Sequence, residues 1–421
     1  MLRIGHIADT HISLSHRRFG ILSKALRGIQ RQMREARVDL IVHAGDLGES
    51  SPTGDDLDYQ AFVLQEFASI APTVVVLGNH DSASHWKVFE RIETDHPLAL
   101  VRLDRETIAL LYDGSLENIS DIDAMTGDVR CLIHCMPWMT KKHILTKWPQ
   151  AGIDETDEAA RGAFQALMLG FRSDRDCMGF TGPNLLVTHA EVAGYTTDSG
   201  QTNPQPGLRV SVEDLELCGS PIIALGHIHL RQEWNDRIYY AGSPCRLTWG
   251  EAGAKSKGWN LYEFDDEGQT GITTLKMIPS PRLYTVEAEW SFGAETHPTN
   301  PDGFIDVPRF VYEGDHLVEA DRIRDADVRP DDELRFRYHV AAEQREAAKA
   351  AVTDEIGRIW PGALEKVTVE AVVEPGIHAR APEIAQVPTV QEQVAILLDR
   401  EGKEFTASLR EKLETLLAGA Q

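Results

Sequence analysis

Five short apolar runs, each followed by a residue able to bind a metal ion, constrain the fold of this 421-residue chain most strongly. Runs rich in Val, Ile and Leu predict strands buried on both faces, as in a sheet covered by helices. Polar side chains at the carboxyl ends of such strands are typical of functional sites in α/β folds. The runs are residues 2–8, 40–44, 73–77, 185–188 and 222–225.

The polar residues after these runs form five motifs. They are Asp9-Thr10-His11, Gly45-Asp46, Gly78-Asn79-His80-Asp81, Thr188-His189 and Gly226-His227-Ile228-His229. With Asp81 set aside, they supply two Asp, one Asn and five His, a set suited to two divalent metals with one His left over. Paired metals with a spare acid are a means of hydrolysing phosphate esters.

The spacing within the motifs predicts where their side chains point. In an extended chain, residues two apart face the same way, which applies to Asp9 with His11 and to His227 with His229. Gly45, Gly78 and Gly226 precede candidate ligands, and glycine allows tight turns and close backbone approach. We therefore expect the donors to converge at one edge of the sheet.

Composition agrees with a soluble cytoplasmic enzyme of two or three domains. The chain is 42% hydrophobic and too long for one ordinary core. No apolar stretch reaches the roughly 18 residues that span a bilayer, and the N-terminus runs directly into the first strand without a secretion signal. The five cysteines are an odd number without zinc-site spacing, which favours a reducing compartment.

The net charge of −24 argues against free binding of DNA unless basic residues cluster near the site. It favours a partner that carries the DNA, or a small phosphoester as the substrate. Lys141 and Lys142 lie with Trp138 in the most basic loop of the first half. This loop is either a phosphate contact or an ordinary exposed loop.

The pattern along the chain predicts four segments. Residues 1–278 alternate strand and helix and end in a hairpin; residues 279–374 form a smaller α+β domain. Residues 375–388 are a Pro-rich linker, and 389–421 form an amphipathic helical tail. The tail either packs on its own chain or docks onto a partner. Its apolar stripe comprises Phe405, Leu409, Leu413, Leu416 and Leu417.

The motif order resembles the calcineurin-like metallophosphoesterase superfamily, and more narrowly its SbcD branch, the bacterial relatives of Mre-eleven. The superfamily motifs cover residues 1–230, and SbcD features extend the resemblance toward residue 275. The features that carry the resemblance are residues 4–11, 78–82, 226–229, 240–244 and Lys257-Gly258.

The resemblance implies an α/β fold in which a β-sandwich flanked by helices is followed by an α+β capping domain and a helical tail. It also implies that the tail binds the coiled-coil base of an SbcC-like ATPase of the SMC type. A homodimer is implied as well, with helices in residues 56–95 as the expected contact.

Seven residues would hold two divalent metal ions if the family's roles are carried over. The resemblance assigns Asp46 to both ions and implies Mn²⁺, although the donor chemistry also allows Mg²⁺, Fe or Zn²⁺. The implied sets are Asp9, His11, Asp46 and His229 for one ion, and Asp46, Asn79, His189 and His227 for the other.

His80 is left without a metal and is expected to act as a general acid or to orient the phosphate. Asp81 is expected to fix His80 through a hydrogen bond. Glu49, three residues after Asp46, departs from the Asp or His that relatives often have there. It is a candidate substrate contact and leaves the balance of exonuclease and endonuclease activity open.

Three functions compete. The first is an SbcD-like DNA nuclease that works with an ATPase in DNA end processing, repair or recombination. The second is a calcineurin-type phosphodiesterase for small nucleotides or other phosphoesters, and the third is a non-catalytic scaffold. The complete donor set disfavours the scaffold, and a tail suited to docking favours the nuclease.

Overall fold

The structure, a computed structural model, divides by its contacts into two compact units. One is Met1–Thr285 with Arg329–Leu334, and the other is Val286–Val328 with Arg335–Gln421. The domain boundaries at 278, 374 and 388 stay predictions, and the linker lies outside the described residues. The structure describes residues 1–119, 128–140, 143, 156–196, 208–252, 254, 256–265, 267–268, 270–297, 300–312, 329, 331–360, 366–374, 390–400, 405–406, 409–410 and 412–413.

Two larger sheets and a short strand pair make up the first unit. Its strands are β1 (Leu2–Ile7), β2 (Leu40–His43), β3 (Thr73–Val76), β4 (Leu98–Val101), β5 (Glu106–Leu111), β6 (Leu116–Asn118), β7 (Val129–Met136), β8 (Asn184–His189), β9 (Glu191–Val192), β10 (Arg209–Val210), β11 (Ile222–Gly226), β12 (Gln232–Trp234), β13 (Ile238–Tyr240), β14 (Gly258–Phe264) and β15 (Thr270–Met277). The sheet orders are β15-β14-β1-β2-β3-β4, β12-β13-β11-β8-β7-β5-β6 and β10-β9.

Helices cover these sheets. Leu22, Leu26, Ile29 and Met33 are buried on one face of α1, and a capping box of Thr53 with Asp56 begins α2. A 3₁₀ helix covers His85–Arg91, and a shorter 3₁₀ turn covers Trp249–Glu251. The α-helices of this unit are α1 (Phe19–Ala36), α2 (Gly54–Ala68), α3 (Thr156–Cys177) and α4 (Val212–Glu216).

Neighbouring residues on one strand pack into different layers, which explains the uninterrupted apolar runs. On β2, Val42 joins the core between the two sheets, whereas Ile41 packs with α1 and α2. On β8, Val187 joins the same central core, whereas Leu186 packs with Phe164 of α3. The layers are therefore helix, sheet, sheet and helix, which confirms the predicted β-sandwich flanked by helices.

Strand direction brings the motif residues to one edge. β1, β2 and β3 run parallel, and so do β8 and β11 in the other sheet. Hydrogen bonds join the two edges: the backbone N–H of His227 donates to Asp9 Oδ1 at 2.8 Å, and His189 Nδ1 lies 2.7 Å from the carbonyl of Ala44. The carboxyl ends of the two sheets therefore meet at the candidate site.

The second unit is an α+β arrangement. Buried and partly exposed residues alternate along its strand 333–341, so one face of the sheet is covered. No helix among the described residues is long and apolar enough to cross a membrane. The elements are β16 (Leu283–His297), β17 (Asn300–Val311), β18 (Glu333–Ala341), β19 (Val367–Glu374), a 3₁₀ turn at Ala342–Gln344, α5 (Arg345–Ile359) and α6 (Val390–Arg400), with sheet order β17-β16-β18-β19. The first residues of β16 and of β18 belong to the first unit.

Candidate metal centre

The backbone at the site is strained. Asp9, His11, Asp46 and His227 have φ of 53°, 44°, 54° and 111°, a region that side-chain-bearing residues rarely adopt. Such conformations cost about 1–3 kcal/mol each and persist where the surrounding structure fixes them. The expectation of extended chain within the motifs is therefore wrong, because these residues lie past the strand ends, where the chain turns.

This turning separates two histidines that were expected to point the same way. The ligand atom of His229 lies within 4.8 Å of those of Asp9 and His11, whereas His227 groups in the same way with Asp46 and His189. The motifs thus form two clusters, which we call the Asp9 cluster (Asp9, His11 and His229) and the Asp46 cluster (Asp46, His189 and His227).

The Asp9 cluster brings potential metal ligands close together. His11 Nε2 and His229 Nε2 lie 3.0 Å apart. Asp9 Oδ1 accepts the backbone N–H of His227, but the buried Oδ2 has no hydrogen-bond partner among the residues that the structure describes. A cation among these three side chains would satisfy the carboxylate oxygen and both imidazole nitrogens.

Asn79 joins the Asp46 cluster. Its Oδ1 lies 2.8 Å from His189 Nε2 and 2.9 Å from His227 Nδ1. The other ring nitrogen of His189, Nδ1, donates to the carbonyl of Ala44, which directs Nε2 into the site. This is the arrangement by which proteins usually orient an imidazole toward a metal.

Asp46 faces the Asp9 cluster as well as the other members of its own cluster. Its Oδ2 is 3.4 Å from His189 Nε2 and 3.6 Å from His11 Nε2, so one oxygen faces both groups. Its Oδ1 accepts the backbone N–H of His80 at 2.8 Å. This placement suits a carboxylate shared by two ions.

Burial and neighbouring charges shift the pKa values of the acidic and imidazole groups in both clusters. Burial raises the pKa of Asp9. Burial also acts to raise the pKa of Asp46, but His189 and His11 outweigh it and hold that pKa below its ordinary range. Burial acts against the charged imidazoles, yet Glu49 and Asp46 raise the pKa of His11 to about 9, and Asp46 raises that of His189 to about 9. A metal ligand needs a free lone pair, so a proton on His11 or His189 competes with a metal ion. The carboxylate, amide and imidazole side chains together fit divalent ions.

His80 lies at the rim of the site. Its side chain is 29% exposed, against 7% for His11. Its Nδ1 lies 3.2 Å from Glu49 Oε2 and 3.2 Å from Ser50 Oγ. Glu49 Oε1 is in turn 3.4 Å from His11 Nδ1, so Glu49 connects the rim histidine to the Asp9 cluster.

The profile of the calcineurin-like phosphoesterase family matches residues 2–249, which contain both clusters and His80. The chain belongs to the calcineurin-like phosphoesterase family. It is a metal-dependent hydrolase of phosphate esters, and the two clusters are candidate sites for the two divalent ions that this family typically binds.

Two solved structures are similar to the chain at low sequence identity. A dimetal phosphatase from Danio rerio is 13% identical, with 65% of this chain and 98% of that chain covered and a TM-score of 0.38. A protein of unknown function from Aquifex aeolicus is 13% identical, with 52% and 94% covered and a TM-score of 0.21. No curated protein matches the chain.

Asp81 does not bind His80 in this phosphoesterase. Its carboxylate instead accepts the backbone N–H groups of Gly78 at 2.9 Å, Gly48 at 3.2 Å and Leu47 at 3.3 Å. Burial, followed by the charge of Asp46, raises the pKa of Asp81 to about 6. Asp81 therefore holds together the loops after β2 and β3 through three backbone amides.

Sequence reasoning missed a buried polar group behind His229. Glu251 Oε1 lies 3.3 Å from His229 Nδ1, and Lys257 and Ser243 contact the same carboxylate. Lys257 and Ser243 stand in segments that carry the family resemblance, but no local pattern indicates that Glu251 reaches a histidine 22 residues away.

The sequence placed Trp138 in the basic loop but gave no sign that its ring lies against the metal site. Its ring lies 4.9 Å from that of His227 and 5.7 Å from that of His189, and it covers the Asp46 cluster. His43 and His134 are buried in β2 and β7. The basic-loop candidates Lys141 and Lys142 lie outside the described residues.

Proposed function

We propose that this phosphoesterase is an SbcD-like DNA nuclease that works with an SbcC-like coiled-coil ATPase in DNA end processing, repair or recombination. The main support is the geometry of the site: the carboxylate of Asp46 faces both the Asp9 cluster and its own cluster, and His80 lies at the rim. That site precedes an α+β unit and helix α6, which is the order of parts in the SbcD branch.

The donors divide naturally between two ions. Asp46 would contribute to both, and we propose Mn²⁺, as the resemblance implies. When bound, two such ions supply an activated water and neutralise phosphate oxygens. The Asp9 cluster with Asp46 would hold one ion, and the Asp46 cluster with Asn79 would hold the other.

His80 is proposed to protonate the leaving oxygen of the phosphodiester. Contacts of Nδ1 with Glu49 and Ser50 leave Nε2 as the nitrogen that can meet substrate. The backbone N–H of His80 is fixed on Asp46, so the acid is tied to the shared carboxylate. General-acid catalysis of this kind contributes about 10²- to 10⁴-fold.

The partners follow from the resemblance. The ATPase is proposed to bind the C-terminal helices, of which α6 is described. A homodimer is proposed through residues 56–95, where Phe62 and Val88 are each 49% exposed. A DNA-carrying partner would also offset the net charge of −24.

That same charge favours a second candidate, a phosphodiesterase for small nucleotides or other phosphoesters. Small substrates carry fewer phosphates than DNA, so the long-range repulsion is smaller. The metal site and the role of His80 would be unchanged.

Cleavage assays separate the two candidates. Labelled linear double-stranded and single-stranded DNA would be incubated with Mn²⁺, Mg²⁺ or Zn²⁺, beside bis-p-nitrophenyl phosphate. The variants are His80→Gln and, as the matched control, His96→Gln. His96 precedes β4, which runs parallel to β3, so it lies at the opposite ends of these strands from the site. The nuclease proposal expects metal-dependent DNA cleavage that is lost in His80→Gln and kept in His96→Gln.

Intact DNA beside rapid hydrolysis of the small diester would favour the second candidate. Repeating the assay with the ATPase added tests whether the partner is what permits cleavage. DNA that stays intact with the partner present would rule out the nuclease.

A further inference from the structure

A buried lysine anchors the backbone of His229. Lys257 is 4% exposed, and its ammonium group donates to the carbonyl of His229 at 2.9 Å and to Ser243 Oγ at 2.8 Å. Its third contact is Glu251 Oε2 at 2.5 Å. An ammonium group has three N–H bonds, so each of them has an acceptor here.

Hydrogen bonds to both oxygens hold the carboxylate of Glu251 in place. Its Oε2 also accepts from Ser243 Oγ at 2.5 Å. Its Oε1 accepts the backbone N–H groups of Leu247 and Thr248, each at 3.2 Å. The same Oε1 lies 3.3 Å from His229 Nδ1. A carboxylate bound in this way has little freedom to turn away from the imidazole.

The two nitrogens of His229 therefore face different neighbours. Nδ1 faces Glu251, and Nε2 lies 3.0 Å from His11 Nε2 in the Asp9 cluster. A carboxylate that accepts one imidazole N–H sets the tautomer and leaves the other nitrogen as a metal ligand.

We infer that Glu251, held by Lys257, is a positioning residue that directs His229 Nε2 toward the metal ion of the Asp9 cluster. This role rests on the metal site of the proposed function. Part of the affinity for the metal ion would then come from Glu251 and Lys257, which are not themselves ligands. Lys257 fixes the backbone of His229 while Glu251 fixes its ring.

The ion pair also explains how a carboxylate can be buried behind the site. An unpaired buried charge is strongly unfavourable, and Lys257 supplies the opposite charge at hydrogen-bonding distance. Glu251 can thus be buried behind the histidine as the partner of the Lys257 ammonium group.

The inference predicts that only one of the two ions depends on this pair. In the Asp46 cluster, His189 is oriented by the carbonyl of Ala44, with no contact to Glu251 or Lys257 among those described. Loss of an outer partner usually weakens metal binding by about 10- to 100-fold. We expect a loss of that size for one ion and an unchanged affinity for the other.

The test is a titration of the metal-free full-length chain with Mn²⁺, followed by calorimetry and by elemental analysis of the bound ions. Glu251→Gln keeps an acceptor for His229 but removes the charge. Glu251→Met with Lys257→Met removes the whole ion pair and leaves no unpaired buried charge. Circular dichroism and thermal unfolding establish that each variant is folded.

Asp214→Asn is the matched control. Asp214 is a buried, ion-paired carboxylate that contacts Arg161 at 2.9 Å, Gln165 and Ser211. None of these three is a candidate ligand. Its substitution should leave both Mn²⁺ affinities as in the wild type.

Selective weakening of one ion in both Glu251 variants would support the inference. It is overturned if the folded double variant binds both ions with wild-type affinity, if both ions weaken equally, or if Asp214→Asn gives the same loss. Variants that do not fold would show that the pair serves folding instead. A wild-type chain that binds two Mn²⁺ but cuts no DNA would refute the nuclease and leave this inference standing.

Discussion

Gly78→Ala tests how closely the loops must approach around the shared carboxylate. A Cβ at residue 78 would lie 2.2 Å from Asp46 Oδ1 and 2.2 Å from Asp46 N, whereas ordinary contacts are 3.4–4 Å. Asp46 or the loop after β3 must therefore move by about 1 Å, and a displacement of that size at a reacting site lowers activity by about 100-fold. The overpacking should also destabilise the fold by about 1–3 kcal/mol.

The assay is hydrolysis of bis-p-nitrophenyl phosphate with Mn²⁺, together with the metal content of the purified variant. Gly162→Ala in α3 is the control, because a Cβ there would meet no described atom within 4 Å. It should keep wild-type activity and, since alanine favours helix, stabilise the chain by about 1 kcal/mol or less.

Wild-type kcat/KM and metal content in Gly78→Ala would refute the reasoning. Such a result would mean that Asp46 tolerates displacement and is not a shared ligand. A loss of activity in Gly162→Ala of the same size would show that the assay reports general instability.

Three further predictions concern other residues. Asp46→Ala should lose both metal ions by elemental analysis, because its Oδ2 faces both clusters; a variant that retains two ions contradicts the shared role. In the proposed nuclease, Glu49→Gln should lower DNA cleavage by about 10-fold while keeping the metals, because it weakens the contact with His80 Nδ1; unchanged cleavage would contradict that role. Burial, aided by Arg175 and Arg105, lowers the pKa of His134 to about 3, so its contribution to stability is present above pH 6.5 and is lost as the pH falls from 6.5 toward 3. The urea midpoint of His134→Gln should then fall less steeply over this range than that of the wild type, which loses at most about 1.4 kcal/mol per pH unit through this group; equal slopes would contradict it.

The sequence by itself determined the layers and the chemistry of the donors. Apolar runs such as 40–44 and 185–188 predict doubly covered strands, because neighbouring side chains point to opposite faces and both faces must be apolar. The donor types after each run indicate divalent metals, since ligand chemistry belongs to the side chain wherever it lies. These are local properties, and they could be predicted without coordinates.

Only the tertiary structure decided how the donors are grouped and supported. Asp9 contacts His227 across 218 positions, and the positive φ of His227 turns the chain so that His227 and His229 join different clusters. Asp81 binds loop amides instead of His80, and Glu251 reaches His229 through a turn after β13. Periodicity describes one element at a time, whereas these contacts arise where the ends of two sheets meet.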